Sequence, residues 1–247
     1  MERIIKQGTG LAVEIGTVET PEITRWTSWG LGDLQQSFML HTPAGTLITD
    51  PVLPPLSEGL QAIKRRAGKV AGILSLSPLH ERHIAEAARR YRAPVYGPAT
   101  AKKTTQYGRK LDMRYTVGEE LPGGVQAIES GDETGEVWLY WETPSGKKVL
   151  LNADTVYGQD RPGGMGGRKV PYWMPEAGIR LRATGRLTRS QMRRRYEKLL
   201  ALEVDIVLNG HNPRALTTTR AILEQVLEDG RVEVHSSGAC TFMYLDF

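Results

Sequence analysis

The stretch VAGILSLSPLHERHIAEAARRYRAPVYGP, residues 70–98, changes its period once and places two of the chain's five histidines at the change. Val70, Ile73, Leu74 and Leu76 form the short apolar run of a buried strand, predicted over 70–76, and Ser75, Ser77 and Pro78 break it. From His80 onward Ile84, Ala87, Ala88 and Tyr91 recur at helical spacing. Arg89, Arg90 and Arg92 load the end where a helix dipole favours cations, so the helix is predicted over 80–92. Ala93-Pro94 stops it, and Val95-Tyr96 begins another strand. This reading sets His80 and His83 on one face of a first helical turn, just past the C-terminal end of a strand. Open sheets place their sites at such ends.

Working outward, Leu11 to Ile15 and Trp26 to Trp29 read as early strand pieces. Ser37 to His41 and Thr46 to Asp50 read as a hairpin closed by Thr42-Pro43-Ala44-Gly45, whose second strand ends on a carboxylate. Leu56 to Arg66 carries helical spacing before Gly68 ends it. Downstream, Val125 to Ile128, Glu136 to Glu142 and Lys148 to Asn152 fit a β meander, and the last of these runs into Asn152-Ala153-Asp154-Thr155. Residues 158–170 contain five glycines and no apolar period, which predicts a long loop without phosphate-loop spacing. Leu187 to Leu202 predicts a helix over 188–201, and Val204 to Leu208 a third buried strand that ends at Asn209-Gly210-His211. A last helix over 217–228 and two strands, Val232 to Val234 and Thr241 to Leu245, finish the chain.

Composition narrows the chemistry. At 247 residues and 40% hydrophobic content the chain can bury a core, and it is read as a single domain over 1–247. No apolar run reaches a membrane span and the N-terminus lacks the apolar centre of a signal peptide, so a cytoplasmic protein without a membrane partner is expected. Cys240 is the one cysteine, which rules out an intrachain disulfide and a thiolate cluster. Any metal must therefore use His, Asp or Glu. The charge surplus is only +4, from 32 basic and 28 acidic residues. Lys64-Arg65-Arg66 and Arg193-Arg194-Arg195 lie on helices whose polar faces need charge anyway, so nucleic acid is not the expected partner.

Three strands thus end in polar groups: His80 and His83 after the first, Asp154 after the second, His211 after the third. A single histidine at a strand end is most often a satisfied cap residue. Three of them with an aspartate also form the donor set of a zinc or iron ion where thiolates are absent. The order of these segments, from Thr46 to Pro213, resembles the metallo-β-lactamase fold superfamily. Leu47-Ile48-Thr49-Asp50 looks like its early strand ending in Asp, and Ser77-Pro78-Leu79-His80-Glu81-Arg82-His83 stands where it has THxHxDH. Ser130-Gly131-Asp132-Glu133-Thr134-Gly135 looks like the segment with the next histidine, Asn152-Ala153-Asp154-Thr155 like the segment with the bridging Asp, and Asn209-Gly210-His211 like the final GH.

The resemblance implies an α+β fold, a four-layer αββα sandwich. It also implies a metal-dependent hydrolase with His80, His83, Asp154 and His211 as ligands and Asp132 as a further donor. The departures imply an altered centre, mononuclear or vacant. Pro78 replaces one ligand with a residue that has no side-chain donor, and Arg82 replaces the motif Asp. A guanidinium ~4 Å from a divalent ion costs several kcal/mol even at an effective dielectric near ~20, so one zinc or iron ion is expected and a second is not. Arg82 is expected to pair with Asp154 or Asp132 in place of that second ion. The alternative is a non-catalytic protein that uses the cleft for a small-molecule ligand. A nuclease-like relative is the third reading.

Overall fold

The structure is a computed structural model and describes residues 2–5, 12–18, 20–30, 33–78, 80–101, 111–130, 135–153, 155–158, 179–181, 189–210, 224, 231–236 and 239–244. The first sheet runs in chain order: β1 (Glu2–Ile5), β2 (Ala12–Val18), β3 (Thr20–Gly30), β4 (Asp33–Thr42), β5 (Gly45–Thr49), β6 (Val70–Leu74), β7 (Val95–Pro98) and β8 (Met113–Tyr115). Neighbours are antiparallel as far as β5 and parallel from β5 to β8. The change of sense falls where helices begin to make the connections, because parallel neighbours need a crossover. These helices are α1 (Ser57–Ala67) and α2 (Ile84–Tyr91).

The second sheet has the order β15-β12-β11-β10-β9, with β9 (Glu120–Leu121), β10 (Val125–Glu129), β11 (Val137–Glu142), β12 (Lys148–Asn152) and β15 (Ile206–Asn209). β12 and β15 are parallel, so both present their C-terminal ends at one edge. Two further antiparallel pairs are β13 (Val156–Gly158) with β14 (Ile179–Leu181), and β16 (Arg231–Ser236) with β17 (Ala239–Tyr244).

Strand alternation separates two cores. On β4, Phe38 and Leu40 turn toward the second sheet while Met39 turns toward the helices. The inter-sheet core joins Ile23, Phe38, Leu47 and Leu74 to Leu139, Trp141, Val149, Leu151 and Leu208. The outer core packs Ala62, Ile63 and Ala67 of α1 and Ile84 and Ala87 of α2 against Trp26, Met39, Ile48 and Ile73. Each large side chain buried in this way is worth about 1.5–3 kcal/mol. On the other side α3 (Arg189–Ala201) buries Leu199, and its Arg195 Nε donates to the Ser130 carbonyl at the end of β10. The layers are therefore helix, sheet, sheet, helix, an α+β sandwich, as the sequence led us to expect. No described helix is long and apolar enough to cross a membrane.

Two local expectations change. The first predicted strand ends at Leu74, and the helix after it starts at Ile84 rather than at residue 80, with His83 at its N-cap position. The reason is Arg82, whose φ of 34° lies outside the helical region and turns the chain immediately before the helix. His80 and His83 consequently do not share a helix face. The third strand begins at Ile206, and Asp205 just before it bonds Lys148 twice: its amide donates to the Lys148 carbonyl at 2.8 Å and its side chain accepts from the Lys148 amide at 2.8 Å. The predicted helix over 217–228, apart from Glu224, and the 159–170 part of the glycine-rich loop lie outside the described residues.

Candidate functional site

β5 delivers Asp50 at the sheet edge where His80 and Arg82 lie. The Asp50 amide donates to the Leu74 carbonyl at 2.8 Å, which prolongs the β5–β6 pairing by one residue. The chain then leaves the sheet at Asp50 with a φ of 41°, a left-handed conformation that Asp tolerates better than most residues. This bend turns the carboxylate across the end of β6. Its Oδ1 accepts from the Leu76 amide at 3.0 Å, and its Oδ2 lies 2.7 Å from His80 Nδ1, with both side chains buried. A carboxylate only accepts, so Nδ1 carries the proton of the neutral ring and Nε2 the lone pair. Asp50 thus fixes the tautomer and orientation of His80.

His83 faces the other way. Its Nδ1 accepts from the Leu53 amide at 2.9 Å, so the proton of the neutral ring sits on Nε2. Neither nitrogen then offers a lone pair outward. Two histidines three residues apart have opposite tautomers, each set by one partner.

Arg82 sits between them, half-buried. Its Nη1 donates to the carbonyls of Gln36 at 2.9 Å and Asp50 at 3.0 Å, and its Nη2 donates to that of Gly210 at 3.3 Å. These carbonyls belong to β4, to the end of β5 and to the residue after β15, so one guanidinium ties both sheets together. Backbone bonds run beside it: Gln36 donates to the Gly210 carbonyl at 2.7 Å, and the Gly210 amide lies 3.1 Å from the Ala153 carbonyl and 3.2 Å from that of Asn152. A side chain at Gly210 would crowd this junction. A Cβ there would stand 2.9 Å from Arg82 Nη2, 3.0 Å from the Ala153 carbonyl oxygen and 3.3 Å from His80 Cε1.

The ends of β12 and β15 and the loop after β6 therefore converge. Asp132, Asp154 and His211 lie outside the described residues, but Ala153 and Thr155 on either side of Asp154, and Gly210 before His211, belong to this cluster. The expected pairing of Arg82 with Asp154 or Asp132 lies outside them as well. Among the described residues no three His, Cys, Asp or Glu side chains are grouped to hold a metal ion. His80 has a lone pair on Nε2, His83 has its proton there, both Asp50 oxygens already accept hydrogen bonds, and Arg82 brings a permanent positive charge.

Sequence reading missed three residues that build this site. Asp50 was noticed as a strand-ending carboxylate, but nothing in its spacing from His80 announced their contact. Gln36 acts through its main chain, which leaves no sequence signal. Glu136 opens a predicted strand of the meander, yet it is buried, and its Oε1 accepts from the Ala153 amide at 3.1 Å and from the Thr155 hydroxyl at 2.5 Å. An acid opening a run as apolar as Val137 to Trp141 was the available clue.

No protein-family model matches the chain, and no curated protein does. Solved structures do. A metallo-β-lactamase, DIM-1, superposes with a TM-score of 0.58 at 15% identity, covering 87% of this chain and 98% of its own. A metallo-β-lactamase from Pontibacter korlensis gives a TM-score of 0.58 at 15% identity, with 87% and 97% covered. A B3 metallo-β-lactamase with an active-site glutamic acid gives 0.53 at 18%, with 86% and 88% covered. At these identities the likeness establishes the fold, which is that of the metallo-β-lactamases, and nothing finer.

Proposed function

From that fold as a premise, we propose that this protein is a metal-dependent hydrolase with an altered centre that holds at most one divalent ion, zinc or iron. The observation that carries this reading is the position of Arg82. In the resemblance it stands where the motif has an Asp, and its guanidinium is fixed by three main-chain carbonyls beside His80. A cation held there opposes a second ion, and the tautomer of His83 leaves that ring without an outward lone pair.

His80 through Nε2, with Asp154 and His211, would hold the single ion. Such an ion lowers the pKa of a bound water toward neutrality and so supplies a nucleophile. The rest falls to the chain. Asp50 keeps the proton of His80 on Nδ1, an arrangement that orients a metal-binding imidazole and raises its basicity. Arg82 fixes the positions of the loops and supplies positive charge near any anionic group that enters.

A second reading has support from the same residue. Arg82 joins the two sheets through main-chain carbonyls, and a non-catalytic protein could use the site so held to bind a small molecule. Metal loading followed by turnover of chromogenic esters, thioesters, lactams and phosphodiesters separates the two. The hydrolase reading requires turnover that a chelator abolishes and that His80→Ala lacks. Binding of a small molecule with no turnover under metal would favour the second reading.

A further inference from the structure

We propose that Glu136 is the positioning residue of the candidate centre, one side chain and one carbonyl that together hold the two segments bearing Asp154 and Asp132. The inference rests on the proposed reading for what those two acids do. Its geometric part stands apart from it.

Glu136 precedes β11 and is only 4% exposed. A buried carboxylate is costly unless donors surround it. Its Oε1 accepts from the Ala153 amide at 3.1 Å, the Thr155 amide at 3.4 Å and the Thr155 hydroxyl at 2.5 Å. The two amides flank position 154. The hydroxyl is also aimed, because Trp138 Nε1 donates to the same Thr155 Oγ1 at 2.6 Å, which leaves the hydroxyl proton for Glu136. Three donors on one carboxylate oxygen fix the chain at residues 153 and 155, on both sides of position 154.

The main chain of Glu136 does the second task. Its carbonyl accepts from Ser130 Oγ at 2.5 Å, and the Ser130 carbonyl accepts from Arg195 Nε of α3 at 2.7 Å. Ser130 and Glu136, which precede and follow Asp132 in the chain, are therefore tied directly to each other, and α3 anchors that tie. From Ala153 the chain of bonds continues through Gly210 to Arg82, and from Arg82 through Asp50 to His80. A shift at Glu136 would move the second-sheet half of the site against the first-sheet half.

The test is amide hydrogen exchange on the full chain, comparing the parent with Glu136→Ala and Glu136→Gln, alongside a titration with zinc alone. Glu136→Ala should speed exchange of the Ala153 and Thr155 amides ~10-fold or more while Leu139, Val149 and Leu151 keep the parent rates. Glu136→Gln retains an acceptor oxygen and should restore most of that protection. Zinc affinity should fall roughly 10- to 100-fold in the alanine variant, the range for a lost partner outside the ligand set. Unchanged exchange at 153 and 155, or acceleration spread evenly over both sheets, overturns the proposal. Glu136→Asp, which keeps the charge and falls one methylene short, takes the place of the alanine variant if that does not fold. A parent that takes up no zinc defeats the hydrolase reading and leaves the exchange result to decide on Glu136.

Discussion

His80 Nδ1 and Asp50 Oδ2 lie 2.7 Å apart in the interior, at the point where the first sheet hands the chain to the site. Replacing Asp50 with Asn removes a pure acceptor and offers an amide that can donate, so the neutral His80 ring should shift its proton to Nε2. We predict that the nitrogen chemical shifts of His80 report this change of tautomer. Loss of the charged acceptor should lower unfolding free energy by about 1–3 kcal/mol in urea titrations. A His80 spectrum unchanged in Asp50→Asn would separate the pair from the tautomer.

Arg82→Ala should leave the carbonyls of Gln36, Asp50 and Gly210 without their shared donor. Hydrogen bonds to charged groups contribute about 1.5–3 kcal/mol, so the urea midpoint should drop by an amount equivalent to about 3 kcal/mol. An ordinary surface arginine would change stability by no more than about 0.5 kcal/mol. Arg82→Asp exchanges the cation for a ligand and should raise metal uptake above that of the parent.

Gly210→Ala tests the close approach of the two sheets. The Ala153 carbonyl at 3.0 Å from the new Cβ is main chain and cannot swing aside as Arg82 can. Overpacking of this kind costs about 1–3 kcal/mol. Thermal unfolding should show the loss, and added zinc should bind more weakly because the crowding falls on His80 and on the residue next to His211.

His41 gives a pH dependence remote from the site. Burial first, and the nearby Arg66 charge second, hold its pKa below the usual histidine value of 6.5. The folded state thus binds fewer protons than the unfolded state, so this contribution is fully present above pH 6.5 and is lost as pH falls toward the folded pKa. Urea midpoints measured at about pH 7.5 and about pH 5.5 should differ less for His41→Gln than for the parent. Equal pH dependence in the two proteins would remove His41 as the cause.

The fold was legible because its signals are local. The apolar run at Val70 to Leu74, the helical spacing to Tyr91 and the parallel-strand ending at Asn152 each depend on neighbours in sequence. The site was legible only as a set of positions. The opposite tautomers of His80 and His83 depend on Asp50 and on the Leu53 amide, thirty residues away in each case, and no periodicity encodes such contacts. The helical-face reading of the two histidines failed because Arg82 adopts a positive φ, which no residue-type preference for arginine foretells. Glu136 escaped notice because its buried role follows from the turn at Ala153 and Thr155, which packs against it only in the folded sheet.

The central claim is a centre with one ion at most, set by Arg82 and by the tautomers of two histidines. Metal content of the protein purified without chelators and then equilibrated with excess zinc tests it directly, with the parent, His80→Ala and His83→Ala measured together. We predict no more than one tightly held ion per chain, lost in His80→Ala and retained in His83→Ala. Two ions per parent chain, or loss of the ion on replacing His83, would contradict the account.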